Sequence, residues 1–300
     1  MSLVWTAIDP ARLGEPPSGV ELVEFHAGGP EPEGIADVEF YVPDYEGIPG
    51  VRGLLARMRA LRVVQTQTAG VEHIAPFLPD GVTLCNARGV HDASTSELAM
   101  TLMLAVLRGI PEFVQAQQSG RWLHRSRKAL ADHTVLIVGY GSIGAALERR
   151  LEGFECSVLR VARHVRPGVQ AWDDLPALLP QADVVVMLTP LTDETRGLVD
   201  AQFLAAMRDG AVLVNVARGG VVDTEALLAE AGSGRLLAAL DVTDPEPLPA
   251  DHPLWRCPGV LVTPHVGGAT TAMGPRVDRL VVDQLRRFVA GEQLVNCVAR

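Results

Sequence analysis

The 300-residue sequence predicts an α/β protein made of two doubly wound parallel-sheet domains. Three observations carry this. Strand-like and helix-like segments alternate along the chain, which is the pattern of parallel sheets joined by helical crossovers. The strand-like runs in the second half are nearly continuous in Val, Leu and Ile, as expected for strands buried on both faces. The length also exceeds that of one typical domain, so two cores are expected.

Residues 1–60 are the least periodic part. Pro/Gly-rich stretches ("LGEPPSG", "GGPEPEG", "GIPG") separate two strand-like runs, "VELVEF" and "VEFYV". "VRGLLARMRALR" spaces its apolar residues three and four apart and reads as a short helix. A strand "VVQTQTAG", a helix near "VEHIAPFL" and a strand "VTLCNARG" complete a small parallel lobe. "SELAMTLMLAVLRGI" is the strongest helix, with Ser94, Thr95 and Ser96 as expected caps and Glu97 in the first turn. It is apolar nearly all round, so burial between domains or subunits is expected. "PEFVQAQQSGRWLHRSRKAL" reads as a polar, basic connection. A second core then opens, with strands "TVLIVG", "CSVLRVA", "ADVVVMLTP", "AVLVNVA", "RLLAALDV" and "VLVTP". Helices "SIGAALERRLEG", "LPALLP", "AQFLAAM" and "DTEALLAEAGSG" lie between them. The closing amphipathic segment "MGPRVDRLVVDQLRRFVAGE" is expected to return to the first lobe.

Bulk composition excludes several functions. A net charge of −10 disfavours nucleic-acid binding, which needs a basic face. No apolar run is long enough for a membrane span, and no signal-peptide pattern opens the chain. The four cysteines, Cys85, Cys156, Cys257 and Cys297, form no CxxC and no zinc spacing. Reduced thiols in a cytoplasmic protein are therefore expected.

"VGYGSIG" places Gly139, Gly141 and Gly144 after a strand and at the opening of a helix. This is the context in which GxGxxG binds a dinucleotide. Gly139 permits the tight turn, Gly141 lets backbone approach a pyrophosphate, and Gly144 allows close helix–sheet packing. Ser142 and Ile143 fall at the helix N-terminus facing that anion. An acidic residue to grip the ribose hydroxyls should follow about 20 residues on. There the sequence has Ala162 and Arg163, with Arg166 close behind. Two cations and no acid favour the 2′-phosphate of NADP over NAD, which remains a possible second cofactor.

Three further residues follow strand-like runs: Arg218 in "VNVARGGVVD", Glu246 in "ALDVTDPEP" and His265 in "VTPHVGG". Ligands bind where parallel strands end. An Arg fork can hold a substrate's two oxygens, a His can donate a proton near neutral pH, and a Glu can tune it. Taken singly, each is ordinary loop chemistry. Together and in this order, they are the parts needed to reduce a carbonyl beside a carboxylate.

From about residue 60 onward the chain resembles the D-isomer-specific 2-hydroxyacid dehydrogenases, in particular the glyoxylate/hydroxypyruvate reductase-like branch. The resemblance rests on "QTQTAGVEHI", "VGYGSIG", "LTPLTDETRGLV", "VNVARGGVVD", "ALDVTDPEPLPADHPLW" and "VTPHVGG". It implies a substrate domain split into 1–93 and 275–300 around a Rossmann-like NAD(P)-binding domain at 94–274. It implies homodimers too. Arg218 would anchor a small 2-oxo acid, and Glu246 would bond His265, the acid/base. Ala69 and Gly70 would receive the substrate carboxylate. Thr95 would lie against the nicotinamide, and Thr192, Val216, Ala217 and Asp241 would line the coenzyme site. Residues 1–60 are shorter and richer in Pro and Gly than the family's usual opening. Substrate choice is thus assigned to the irregular first lobe and to residues such as Trp122 and His124. The resulting expectation is an NADPH-preferring reductase that forms a D-2-hydroxy acid. The alternative is a dinucleotide-sensing, corepressor-like protein without significant turnover. Formate oxidation and a regulated phosphoglycerate dehydrogenase are weaker readings.

Overall fold

A computed structural model describes residues 1–45 and 50–298. Of the expected turn at 47–50, only Gly50 lies within the described residues. The chain divides into two units, Met1–His91 with Thr271–Arg300, and Asp92–Thr270.

The first unit is a five-stranded parallel sheet. Its strands are β1 (Ser2–Thr6), β2 (Val20–Glu24), β3 (Val38–Val42), β4 (Val63–Gln65) and β5 (Thr83–Cys85), in the order β2-β1-β3-β4-β5. Among the described residues, three α-helices belong to it: α1 (Pro10–Leu13), α2 (Val51–Leu55) and the long α9 (Met273–Ala290). Successive strand residues point to opposite faces, and both faces are covered. Val4, Phe40, Val42 and Val63 pack with Val277, Val281, Leu285 and Phe288 of α9. Trp5, Tyr41, Val64 and Leu84 pack on the other side with Val51, Leu54 and Leu55 of α2. The closing amphipathic helix thus does return to this unit. "SLVWT", for which no strand is expected, forms β1 between β2 and β3. The expected helix at 51–62 keeps only its first five residues, and the one near 71–78 is a single 3₁₀ turn at Ala75–Phe77. Pro76 at its start and Pro79 just after it limit that turn.

The second unit begins with α3 (Asp92–Leu107) and α4 (Ile110–Gln118). There follow β6 (Thr134–Val138), α5 (Ser142–Leu151), β7 (Ser157–Val161), α6 (Leu175–Leu178) and β8 (Val184–Met187). The unit closes with α7 (Ala201–Ala206), β9 (Val212–Asn215), α8 (Thr224–Gly232), β10 (Leu237–Leu240) and β11 (Val260–Val262). All six strands are parallel, in the order β11-β10-β9-β8-β6-β7. After β6 the chain moves outward to β7, then crosses back to β8. The β6/β8 border is therefore the topological switch point where such sheets bind ligands.

Two expectations here need correction. The helix near residue 94 starts at Asp92, so Ser94, Thr95 and Ser96 are not caps but buried residues inside α3. Ser96 Oγ donates back to the Asp92 carbonyl at 2.5 Å, which removes its competition with the helix. The basic connection contains α4, which Gly109 (φ 65°) separates from α3 and Pro111 opens.

In the first unit, buried Gln284 of α9 donates to Gln65 Oε1 (2.7 Å) and the Val295 carbonyl (2.9 Å). Its Oε1 accepts the Val295 N–H at 3.0 Å. Gln284→Leu strands three polar groups, each costing about 1–3 kcal/mol when buried and unpaired. The expected result is a loss of at least about 2 kcal/mol by urea unfolding, with faster proteolysis of the C-terminal segment. An unchanged midpoint would refute this anchoring role.

Candidate active site

The glycine turn after β6 behaves as its spacing demands. Gly139 has φ 98°, and a Cβ there would stand 2.6 Å from Leu188 C and 2.7 Å from Thr189 N. No other residue fits this turn. The Cβ position of Gly141, by contrast, has nothing nearer than 4.0 Å, so space lies open before the N-terminus of α5. Ser142 Oγ donates to Asp92 Oδ1 (3.0 Å), and Ile143 follows in the first turn. Thr189, just past β8, carries a buried hydroxyl with no partner among the described residues. An open glycine turn, a helix N-terminus and an orphaned hydroxyl at one switch point fit a dinucleotide pyrophosphate.

At the end of β7, Arg160 is spent on Glu148 of α5, which also accepts from Tyr140. That hydrogen bond from Arg160 holds the Glu148 carboxyl below the usual range. Arg163 and Arg166 differ from Arg160. Arg166 donates to the Tyr140 carbonyl at 2.6 Å and lies 5.3 Å from the Tyr140 ring centroid. Arg163 pairs with Glu194 at 2.9 Å, both side chains well exposed. Ala162 beside it is buried. Glu194 was not weighed in the sequence, because it approaches from the loop after β8, 31 residues further on.

Arg218, Glu246 and His265 lie in the loops following β9, β10 and β11, three adjacent strands. Buried Asn215, the last residue of β9, shapes the first loop. Its Nδ2 donates to the Arg218 carbonyl (3.0 Å), and its Oδ1 accepts the Ala217 N–H (3.1 Å). Val216 and Ala217 are buried there, and Arg218 Nη1 donates to the Ala217 carbonyl at 2.7 Å. The first and second loops interlock at Gly219, where a Cβ would fall 1.8 Å from the Thr243 carbonyl oxygen. The second and third loops meet through His265 Nδ1 and Glu246 Oε1, 2.5 Å apart, both partly exposed.

Asp241 organises the third loop. Its Oδ1 accepts from Thr263 Oγ1 (2.6 Å) and Val266 N (2.9 Å), and its Oδ2 accepts from Gly267 N (2.8 Å). Its carbonyl accepts the His265 N–H at 2.8 Å. His265 is thereby held at φ 53°, a left-handed conformation uncommon outside glycine. Thr95 Oγ1 donates to the Gly267 carbonyl at 3.3 Å. Thr192 is folded into a turn with Thr195, away from these loops in sequence. Asn215 went unread in the sequence; an Asn ending an otherwise Val/Leu strand is the signal that could have found it.

In the first unit, Ala69 and Gly70 form a loop after β4. Asn86 Nδ2 donates to the Ala69 carbonyl (2.9 Å), and Thr68 Oγ1 donates to the Gly70 carbonyl (2.7 Å). Their own N–H groups make no hydrogen bond to the described residues. Trp122 and His124 are exposed in the stretch after α4. Among the described residues, no cluster of three or more His, Cys, Asp or Glu could hold a metal ion, and no helix is long and apolar enough to cross a membrane.

A parallel sheet with a glycine turn at its switch point, and a paired imidazole at neighbouring strand ends, defines the class as an NAD(P)-dependent oxidoreductase. Residues 100–267 match the model of the D-isomer specific 2-hydroxyacid dehydrogenase NAD binding domain. The glyoxylate reductase/hydroxypyruvate reductase of Mus musculus is 33% identical over 83% of this chain and 84% of its own length. Glyoxylate/hydroxypyruvate reductase B of Citrobacter koseri is 33% identical over 93% of this chain and 88% of its own. A solved D-isomer specific 2-hydroxyacid dehydrogenase from Xanthobacter autotrophicus, in complex with NADPH and MES, superposes with a TM-score of 0.86 at 32% identity. The match covers 99% of this chain and 98% of that one. An NADPH-dependent glyoxylate/hydroxypyruvate reductase from Sinorhizobium meliloti, in complex with NADP and sulfate, gives 0.86 at 29% identity with the same coverage. The chain belongs to the D-isomer specific 2-hydroxyacid dehydrogenase family.

Gly219→Ala forces apart two loops that touch at that point. We expect a loss of about 1–3 kcal/mol in urea unfolding from the overpacking. Wild-type stability would mean that the loops are free to separate.

Proposed function

We propose that this protein is an NADPH-preferring reductase that converts a small 2-oxo acid, of glyoxylate or hydroxypyruvate size, to the D-2-hydroxy acid. The observation that carries the chemistry is the His265–Glu246 pair beside the Arg218 loop. A carboxylate on Nδ1 fixes the tautomer with its proton there, so Nε2 is the nitrogen that exchanges a proton with substrate. In this reading His265 Nε2 gives its proton to the forming alkoxide, and Glu246 stabilises the imidazolium that precedes transfer. Arg218 forks onto the substrate carboxylate and draws electron density from the carbonyl. Ala69 and Gly70, whose N–H groups make no hydrogen bond to the described residues, are further candidates for binding a carboxylate. The nicotinamide, when bound, supplies the hydride. Thr95, Thr192, Val216, Ala217 and Asp241 are carried as coenzyme-site residues. Asp241 acts chiefly by holding the His265 loop in place.

Arg218→Ala should lower kcat/KM for the best 2-oxo acid by about 10²–10³-fold while leaving cofactor affinity nearly unchanged. His265→Ala should lower kcat about 10²–10⁴-fold in both directions. Glu246→Gln should fall between the parent and the His265 variant. Wild-type kcat/KM in the Arg218 variant would refute its role. No NADPH oxidation with glyoxylate, hydroxypyruvate or pyruvate would refute the reductase reading.

Cofactor choice rests on a competition. The exposed Arg163–Glu194 pair is worth about 0–1 kcal/mol, whereas charge-assisted hydrogen bonds to a phosphate bring about 1.5–3 kcal/mol each. The phosphate should win. The NADPH dependence of the Sinorhizobium meliloti relative supports this reading. We expect NADPH to be preferred about tenfold at low salt and less at high salt. Glu194→Gln should widen the preference, and the double change Ala162→Asp with Arg163→Leu should reverse it. Equal use of NADH by the parent protein would show that Arg163 stays with Glu194.

Ile110 and Val114, one turn apart on α4, and Trp122, which is 96% exposed in the stretch after it, are apolar residues suited to contact with a second copy of the chain. The expected assembly is a homodimer of twice the 32.1 kDa chain mass. Light scattering at micromolar concentration should detect it, and a monomer there would overturn the assignment.

A further inference from the structure

We infer that Cys85 and Cys297 are a dithiol pair able to close into a reversible intramolecular disulfide by exchange with a small-molecule disulfide. Cys85 ends β5 and Cys297 lies in the segment after α9, within the same unit, and the two residues face each other across an antiparallel bridge. The flanking hydrogen bonds fix the type of pair. Asn86 N donates to the Asn296 carbonyl (3.0 Å), and Val298 N donates to the Leu84 carbonyl (2.8 Å). Cys85 and Cys297 are therefore a non-hydrogen-bonded pair, for which Cα atoms stand about 4.5 Å apart. That spacing lies inside the range a disulfide spans, about 4.4–6.8 Å. The sulfurs are already 3.6 Å apart, so closure needs side-chain rotation and no strand movement. The segment is held independently of the sulfurs by Gln284, through both polar groups of Val295. Cys156 and Cys257 have no such partner.

Exposure sets the order of events. Cys297 is exposed and Cys85 is fully buried. The Cys297 thiolate attacks one sulfur of the small disulfide, giving a mixed disulfide and one released thiolate. The Cys85 thiolate then attacks Cys297 Sγ and releases the second. The protein loses two electrons and two protons, and the reagent becomes two thiols. Burial pushes the Cys85 thiol up to about 12. The second step therefore waits on a thiolate that is scarce at neutral pH and quickens as pH rises.

The test incubates the full chain with excess oxidised glutathione at pH 7 and pH 9, then alkylates it in denaturant. We expect accessible thiols to fall from four to two, a peptide map joining Cys85 to Cys297, and faster closure at pH 9. The melting temperature should rise by about 5 °C and fall back on reduction. Cys297→Ala changes an exposed position outside the proposed catalytic set. It should abolish the crosslink and the thermal shift while keeping reductase turnover. Four free thiols at both pH values, a crosslink through Cys156 or Cys257, a link between two chains, or a melting temperature that does not rise would each overturn the inference.

Discussion

The arrangement at the strand ends depends on one buried carboxylate. Asp241 is 2% exposed, and both of its carboxylate oxygens accept hydrogen bonds. Two backbone N–H groups and one threonine hydroxyl are the donors. A buried carboxylate satisfied in this way avoids the penalty of an unpaired polar group. The same three bonds wrap residues 263–267 around the end of β10. That wrapping places His265 in its left-handed conformation and turns its Nδ1 toward Glu246. A His on an unanchored loop would lose that orientation.

The second constraint is the contact at Gly219. Three loops from adjacent parallel strands must carry polar groups with different roles, and each loop alone would be mobile. Contact between backbones at Gly219 and Thr243, closer than any side chain allows, ties the Arg218 loop to the loop carrying Glu246. Thr224 Oγ1 adds a bond to the Asp244 carbonyl at 2.7 Å. The imidazole–carboxylate pair ties the second loop to the third. Rigidity here comes from loop-to-loop locking, with each loop stiffened from below by Asn215 or Asp241.

The features legible in the sequence are those whose cause is local. The strands of the second sheet announce themselves because burial on both faces demands continuous apolar runs. Gly139 is legible because steric exclusion by its immediate surroundings leaves no alternative. Arg218, Glu246 and His265 could be placed at strand ends since each follows directly on such a run. What escaped the reading depends on partners distant in sequence. The hydrogen bonds that Asp241 accepts from Thr263, Val266 and Gly267 join residues more than 20 positions apart. Arg163 looked free until Glu194 approached from another loop. The start of α3 was misjudged because Ser94, Thr95 and Ser96 have the chemistry of caps. In the fold, their hydroxyls turn to Thr270, the Gly267 carbonyl and the helix's own carbonyls. β1 was passed over because five residues beside a chain end carry too little pattern to be told from a loop.

A chain with a net charge of −10 that handles two anions, a dinucleotide and a carboxylate, cannot rely on a general positive field. Attraction must be local and preorganised. The second unit supplies it with backbone dipoles at the N-terminus of α5 and with individually positioned guanidinium groups. Two of the arginines near the glycine turn have partners that are weak or neutral. Arg166 donates to a carbonyl beside an aromatic ring, and Arg163 to an exposed carboxylate. Arg160 is instead committed to a half-buried carboxylate and holds up the α5–β7 packing. This division follows from the cost of reorganisation. A guanidinium bound to a carbonyl can take on a ligand's anionic oxygen without stranding a buried charge, whereas releasing Arg160 would leave Glu148 uncompensated. By that measure Arg163 and Arg166 can turn to a ligand's anion at less cost than Arg160 can.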